Sequence, residues 1–97
     1  MSDNPESFPI PNPASFTIYT KSGCPFCVKA KILLKSKNPV IYSCDEFLVD
    51  ASTKEKFLKY IHRLANREHK SFPIVFDKGV FVGGYFDTQK YLSCYDE

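Results

Sequence analysis

No stretch of this chain approaches the roughly 20 consecutive apolar residues that a membrane-spanning helix needs, and no segment repeats another. Neither a spanning helix nor a repeat architecture is expected. A dominant charge is lacking too: 13 basic residues stand against 11 acidic ones, giving +2 and a pI near 8.3. That balance is too weak to imply a nucleic-acid partner. The first fourteen residues hold neither a basic patch nor an apolar run, so no signal peptide is expected and the expected compartment is cytoplasmic. Cysteine is sparse, with four in all. In a reducing compartment four thiols do not make a disulfide framework, and a disulfide that forms and breaks during catalysis is the favoured use. A second close pair of metal ligands is also missing. Cys44, Cys94, His62 and His69 stand apart from one another, so a zinc ribbon, which needs two tight ligand pairs, is disfavoured and no metal is expected.

With 97 residues, 43% of them hydrophobic and 15% aromatic, the chain can bury one core and make one domain. Residues 1–14 hold four of the seven prolines among polar and acidic neighbours. They read as an extended or disordered tail whose last residues lie on the domain, which then runs over 15–97.

The domain is organised around Cys24-Pro25-Phe26-Cys27. A β-rich run, Phe16–Thr20, precedes it, and Lys21-Ser22-Gly23 supplies a bend that delivers Cys24 to a helix N-terminus. Two cysteines three apart there share one face and can close a small ring or bind one metal. Unpaired amides at a helix start stabilise a thiolate, and Pro25 suits the first helical position because its missing N–H is one the helix leaves unpaired anyway. Cys24 is thus the expected attacking thiol and Cys27, one turn deeper, the resolving one.

The helix is expected over Pro25 to about Lys37, burying Val28, Ile32, Leu33 and Leu34, with Lys29, Lys31, Lys35 and Lys37 on a solvated, positive face. Val40–Cys44 reads as the next strand of a β-α-β unit. Ser52-Thr53-Lys54-Glu55 matches a capping box, so a second helix is expected from there to about Asn66, with Phe57, Leu58, Ile61, Leu64 and Ala65 inward. His62 and His69 read as surface histidines. A strand headed by Pro73, a turn at Asp77-Lys78-Gly79 and a returning strand Val80–Val82 follow. Gly83-Gly84 permits a sharp turn, and Asp87 is placed as the N-cap of a short last helix.

In this order residues 15–94 resemble a glutaredoxin of the dithiol type. The markers are Lys21 three before Cys24, the CPFC motif close to the family's CPYC, Ser71-Phe72-Pro73 at its TVP position, and Gly83-Gly84 with trailing Asp87. The resemblance implies an α/β thioredoxin fold, a four-stranded mixed sheet flanked by three helices, with a cis proline peptide beside the cysteines. It also implies a glutathione-dependent thiol–disulfide oxidoreductase acting on glutathione–protein mixed disulfides and protein disulfides as a monomer, ribonucleotide reductase being among the candidate partners. Glutathione would meet the main chain of Phe72, the Lys21 ammonium at its glycine carboxylate, and the amides of Phe86 and Asp87 with the Asp87 carboxylate at its γ-glutamyl end. Phe26, Pro73 and Gly84 complete that set. The chain departs from the family pattern at Phe72, Phe86 and Leu58, and Arg67 and Lys70 are the nearby cations that could compensate for Leu58. The alternative function is a module binding a glutathione-ligated iron–sulfur cluster, which Pro25 after Cys24 disfavours within the family.

Overall fold

The computed structural model describes residues 8–95. Its elements are β1 (Phe16–Thr20), α1 (Pro25–Leu33), β2 (Val40–Ser43), α2 (Ala51–Ala65), β3 (Ile74–Asp77), β4 (Val80–Gly83) and α3 (Tyr85–Tyr95). Short 3₁₀ turns at Lys35–Lys37 and Asp45–Phe47 join them. The sheet order is β2-β1-β3-β4, with β1 parallel to β2 and antiparallel to β3, and β3 antiparallel to β4. This is a thioredoxin fold: one mixed sheet with three helices.

Side chains alternate across the central strands, so each strand serves two cores. Phe16 and Ile18 of β1 join Val75 of β3 against Ala30 and Leu34 from the α1 region and Leu92 of α3. Tyr19, Ile74 and Phe76 point the other way and meet Phe57, Tyr60 and Ile61 of α2, with Cys44 beside them. Each large side chain buried in this way contributes about 1.5–3 kcal/mol relative to exposure.

Several local expectations give way to tertiary geometry. Helix α1 buries Cys27 and Ala30, and Leu34 just beyond it, a spacing of three and four, while Val28 and Ile32 are 53% and 69% exposed. Once Cys27 faces inward the helix rotation is set, and Val28 and Ile32 are turned off the buried stripe. The α-helix also ends at Leu33 instead of about Lys37: a 3₁₀ turn follows, and Asn38 takes the left-handed conformation before Pro39. Helix α2 begins at Ala51 and not at the capping box, because the Asp50 carboxylate accepts from Thr53 N at 2.8 Å. Asp50 is one of the strongest capping residues, and its carboxyl is held below its usual range by those Thr53 hydrogen bonds. At the other end Asn66 closes α2 with φ 59°, and Tyr60, absent from the expected stripe, is buried while Leu64 is exposed. Strand β3 starts only after Pro73, and α3 starts at Tyr85, two residues ahead of Asp87.

The residues just before the boundary at position 15 pack closely on the domain. Phe8 sits against Phe47, Phe57 and Tyr60 with ring centroids 5.2–5.4 Å apart. Pro9 O accepts hydrogen bonds from Tyr19 OH at 2.6 Å and Tyr60 OH at 3.2 Å. Residues 8–14 thus form a strap that supplies the buried phenols with an acceptor, and the rest of the expected tail lies outside the described residues.

Candidate active site

The bend before the motif is fixed at both ends. Gly23 has φ 64°, a conformation glycine takes without steric cost. Ser22 donates through its N–H to Asp45 Oδ1 at 2.8 Å and through its hydroxyl to Asp45 Oδ2. These bonds hold the Asp45 carboxyl below its usual range and tie the bend to the turn after β2. The sequence offered no signal for Asp45 in this role.

Cys24 is the N-cap of α1, and its sulfur accepts from Cys27 N at 3.2 Å. Pro25 occupies the first helical position as expected. Cys24 and Cys27 are joined in a disulfide with Cα atoms 5.2 Å apart. Cys27 is 1% exposed, whereas Cys24 is only half-buried, so an incoming sulfur can reach Cys24 alone. The same amide that contacts the sulfur here would stabilise a Cys24 thiolate after reduction.

Beside Cys24 runs the peptide Phe72–Pro73, which is cis, with Phe72 O 3.7 Å from Cys24 Sγ. An open groove of about 370 Å³ follows, lined by Phe26, Phe72, Pro73, Gly84, Phe86 and Asp87 among others. Six of the candidate residues therefore come together. Lys21 lies outside the lining, with its ammonium 5.6 Å from the Phe72 ring centroid. The far end of the groove is the start of α3. There Asp87 is the third helical residue and not the N-cap: its carboxylate reaches back to accept from Gly84 N at 3.2 Å, half of a capping box. Thr88 N donates to Gly84 O at 3.0 Å, so the amides of Tyr85, Phe86 and Asp87 precede the first intrahelical donor and face outward. Gly83, at φ 133°, makes this possible, since a Cβ there would lie 2.7 Å from Asp87 Cβ.

His69, Ser71 and Tyr85 also line the groove, and none of the three was among the expected glutathione contacts. The tilted ring of Tyr85 lies 5.7 Å from Phe26, which in turn meets Phe86 at 5.3 Å. The two histidines are not ordinary surface residues: both are partly buried, and Nε2 of each is shielded from solvent without a hydrogen-bond partner. His69 packs edge-on against Phe81 at 5.2 Å. Leu58 packs on the α2-side core, Arg67 stacks on Phe81 at 4.9 Å, and Lys70 pairs with Glu68 at 3.2 Å. No group of three or more metal-ligating side chains occurs among the described residues.

Residues 16–82 match the glutaredoxin family model. The chain is 40% identical to glutaredoxin 1 of Rickettsia felis over 76 residues, covering 75% of this chain and 70% of that protein. The chain belongs to the glutaredoxin family. With the Cys24–Cys27 disulfide, membership makes it a thiol–disulfide oxidoreductase. Solved structures agree on the fold. Glutaredoxin 1 of Francisella tularensis superposes with a TM-score of 0.69 at 23% identity, covering 82% of this chain and 93% of that one. A buckwheat glutaredoxin–glutathione complex gives 0.63 at 14%, covering 87% and 73%.

Proposed function

We propose that this chain is a glutathione-dependent oxidoreductase that reduces glutathione–protein mixed disulfides and protein disulfides in the cytoplasm, acting as a monomer with Cys24 as nucleophile and Cys27 as resolving thiol. The observation that carries the reading is the groove beside Cys24, the more accessible sulfur, into which Phe72, Phe86 and Asp87 converge. Glutathione is a small peptide with a carboxylate at each end and an ammonium at one. The main chain of Phe72 suits its cysteine residue as a one-residue strand addition. The start of α3 suits the γ-glutamyl carboxylate, and Asp87 suits the neighbouring ammonium. Lys21, whose ammonium lies 5.6 Å from the Phe72 ring centroid, would meet the glycine carboxylate.

In the reaction the Cys24 thiolate attacks the glutathione sulfur of a mixed disulfide. The old S–S bond breaks, and the protein sulfur leaves with the electron pair and takes up a proton. A second glutathione, as its thiolate, then attacks the glutathione sulfur on Cys24, returning the Cys24 thiolate and releasing glutathione disulfide. With a protein disulfide, Cys24 attacks one sulfur and Cys27 then attacks Cys24, so the second protein thiol leaves and the Cys24–Cys27 disulfide forms. Two glutathiones reduce it. A glutathione complex of a buckwheat relative supports the assignment of the reductant. Reduction of a small glutathione mixed disulfide coupled to glutathione reductase should proceed readily, while thioredoxin reductase should not sustain it. Turnover driven by thioredoxin reductase alone would overturn the glutathione assignment.

A further inference from the structure

We propose that the outer face of α1 is a docking trough for the polypeptide of the disulfide substrate, selecting a segment that carries acidic and apolar side chains next to the reacting cysteine. This rests on the reading above, in which glutathione fills the groove beside Cys24. The trough adjoins that groove. Tyr85 lines both the groove and a second depression of about 300 Å³ formed with Lys29, Ile32 and Leu33. Ile32 in turn lines a third, of about 410 Å³, with Lys31, Lys35, Asn38, Pro39 and Ile41. The three adjoin one another in turn, at Tyr85 and at Ile32, which stands between the flanks of the helix.

Its surface is apolar in a way the core does not require. The buried side of α1 is made by Cys27 and Ala30, yet Ile32 and Ile41 are 69% and 45% exposed along the trough. The surrounding charge has one sign. Between Lys21 and Ser43 the chain carries five lysines and no acidic residue, although basic and acidic residues nearly balance over the whole sequence. Lys29 covers the Phe26 ring at 5.1 Å, so the positive charge begins at the rim of the glutathione groove. The path along α1 spans about 13 Å at 1.5 Å per residue, room for roughly four extended residues. When Cys24 attacks the glutathione sulfur, the departing sulfur belongs to the protein, which must lie outside the glutathione groove. A basic, apolar trough adjoining that groove at Tyr85 complements acidic and apolar side chains and raises their encounter rate.

The test compares two glutathionylated peptides of equal length, one flanking its cysteine with Glu and Leu and the other with Lys and Ser, beside the mixed disulfide of glutathione and 2-mercaptoethanol. The acidic–apolar peptide should show a kcat/KM at least tenfold higher at low salt, and the advantage should shrink as salt rises. Ile32→Glu and the double variant Lys31→Glu/Lys35→Glu alter exposed or half-exposed positions and should keep the melting temperature and the rate on the small disulfide. Both should cut the preference severalfold. Failure of the wild-type chain on the small disulfide would overturn the glutathione reading itself. Normal turnover there with equal peptide rates, or with a preference the variants retain, would overturn the trough alone. Binding to phosphatidylserine vesicles that the variants lose, with peptide kinetics unchanged, would assign the face to a membrane surface and overturn the peptide proposal.

Discussion

On the α2 side of the sheet, Tyr19, Phe57 and Phe76 pack ring to ring, closed over by Phe8 of the strap. On the α1 and α3 side the buried contacts include the smaller Ile18, Ala30, Leu34 and Val75, while Phe26 and Phe86 stand at the rim of an open groove. The cysteines repeat the contrast. Cys44 lies within the α2-side core, where burial, helped by the Asp45 charge, pushes its thiol up to about 12. Cys24 is half-exposed at a helix start that favours the thiolate. Reactivity thus follows the surroundings of the sulfur, and the face with the heavier aromatic packing carries none of the exchange chemistry.

The largest effect that would break this contrast is in the thiols. Cys24→Ser should abolish every exchange activity while leaving the fold intact; residual turnover in that variant would move the nucleophile elsewhere. Alkylation of the reduced protein near neutral pH, followed by mass spectrometry, should modify Cys24 orders of magnitude faster than Cys44. Comparable rates would erase the distinction between the two environments. Cys27→Ser should keep the removal of glutathione from mixed disulfides and lose most reduction of intramolecular disulfides, measured with the two substrate classes side by side.

Smaller effects sharpen the division of labour. Phe8→Ala should cost about 2 kcal/mol, below the full-burial range because Phe8 is only partly buried, and leave kcat/KM unchanged. A drop in activity without a change in melting temperature would couple the strap to the site. Alkaline stability should report the same core. Cys44 ordinarily titrates near 9.0, and burial raises both it and the Tyr19 phenol. Below pH 9 the Cys44 thiol holds its proton folded or unfolded; above it the unfolded thiol ionises first, so its contribution to stability is lost progressively as pH climbs toward 12. Cys44→Ala should flatten that part of a denaturation-versus-pH curve. At the far end of the groove, Asp87→Asn retains an oxygen for Gly84 N but loses the charge, worth on the order of 1–3 kcal/mol for a charge-assisted contact, so KM for glutathionylated substrate should rise severalfold with little change in melting temperature. An unaltered KM would place the γ-glutamyl end elsewhere.

Local chemistry made much of this legible in the sequence. The CPFC motif, the bend at Gly23, the succession of strands and helices along the chain and the turn at Lys78-Gly79 depend on φ preferences, missing donors and alternation, all of which act within a few residues. The family likeness then named Phe72, Pro73, Gly84, Phe86 and Asp87, five residues remote from Cys24 in the chain that the fold gathers into one groove. Other features depended on choices that only packing settles. The rotation of α1 follows from Cys27 turning inward, so Val28 and Ile32 became surface residues despite their hydrophobicity. The start of α2 was a contest between two caps two residues apart, Asp50 and Ser52, won by the carboxylate of Asp50. Asp87 caps from inside α3 because Gly83 clears the space for it. Phe8, Asp45 and His69 act through partners far away in sequence, and no short-range pattern encodes a contact between distant segments: periodicity fixes which residues share a face, while the fold decides what that face meets.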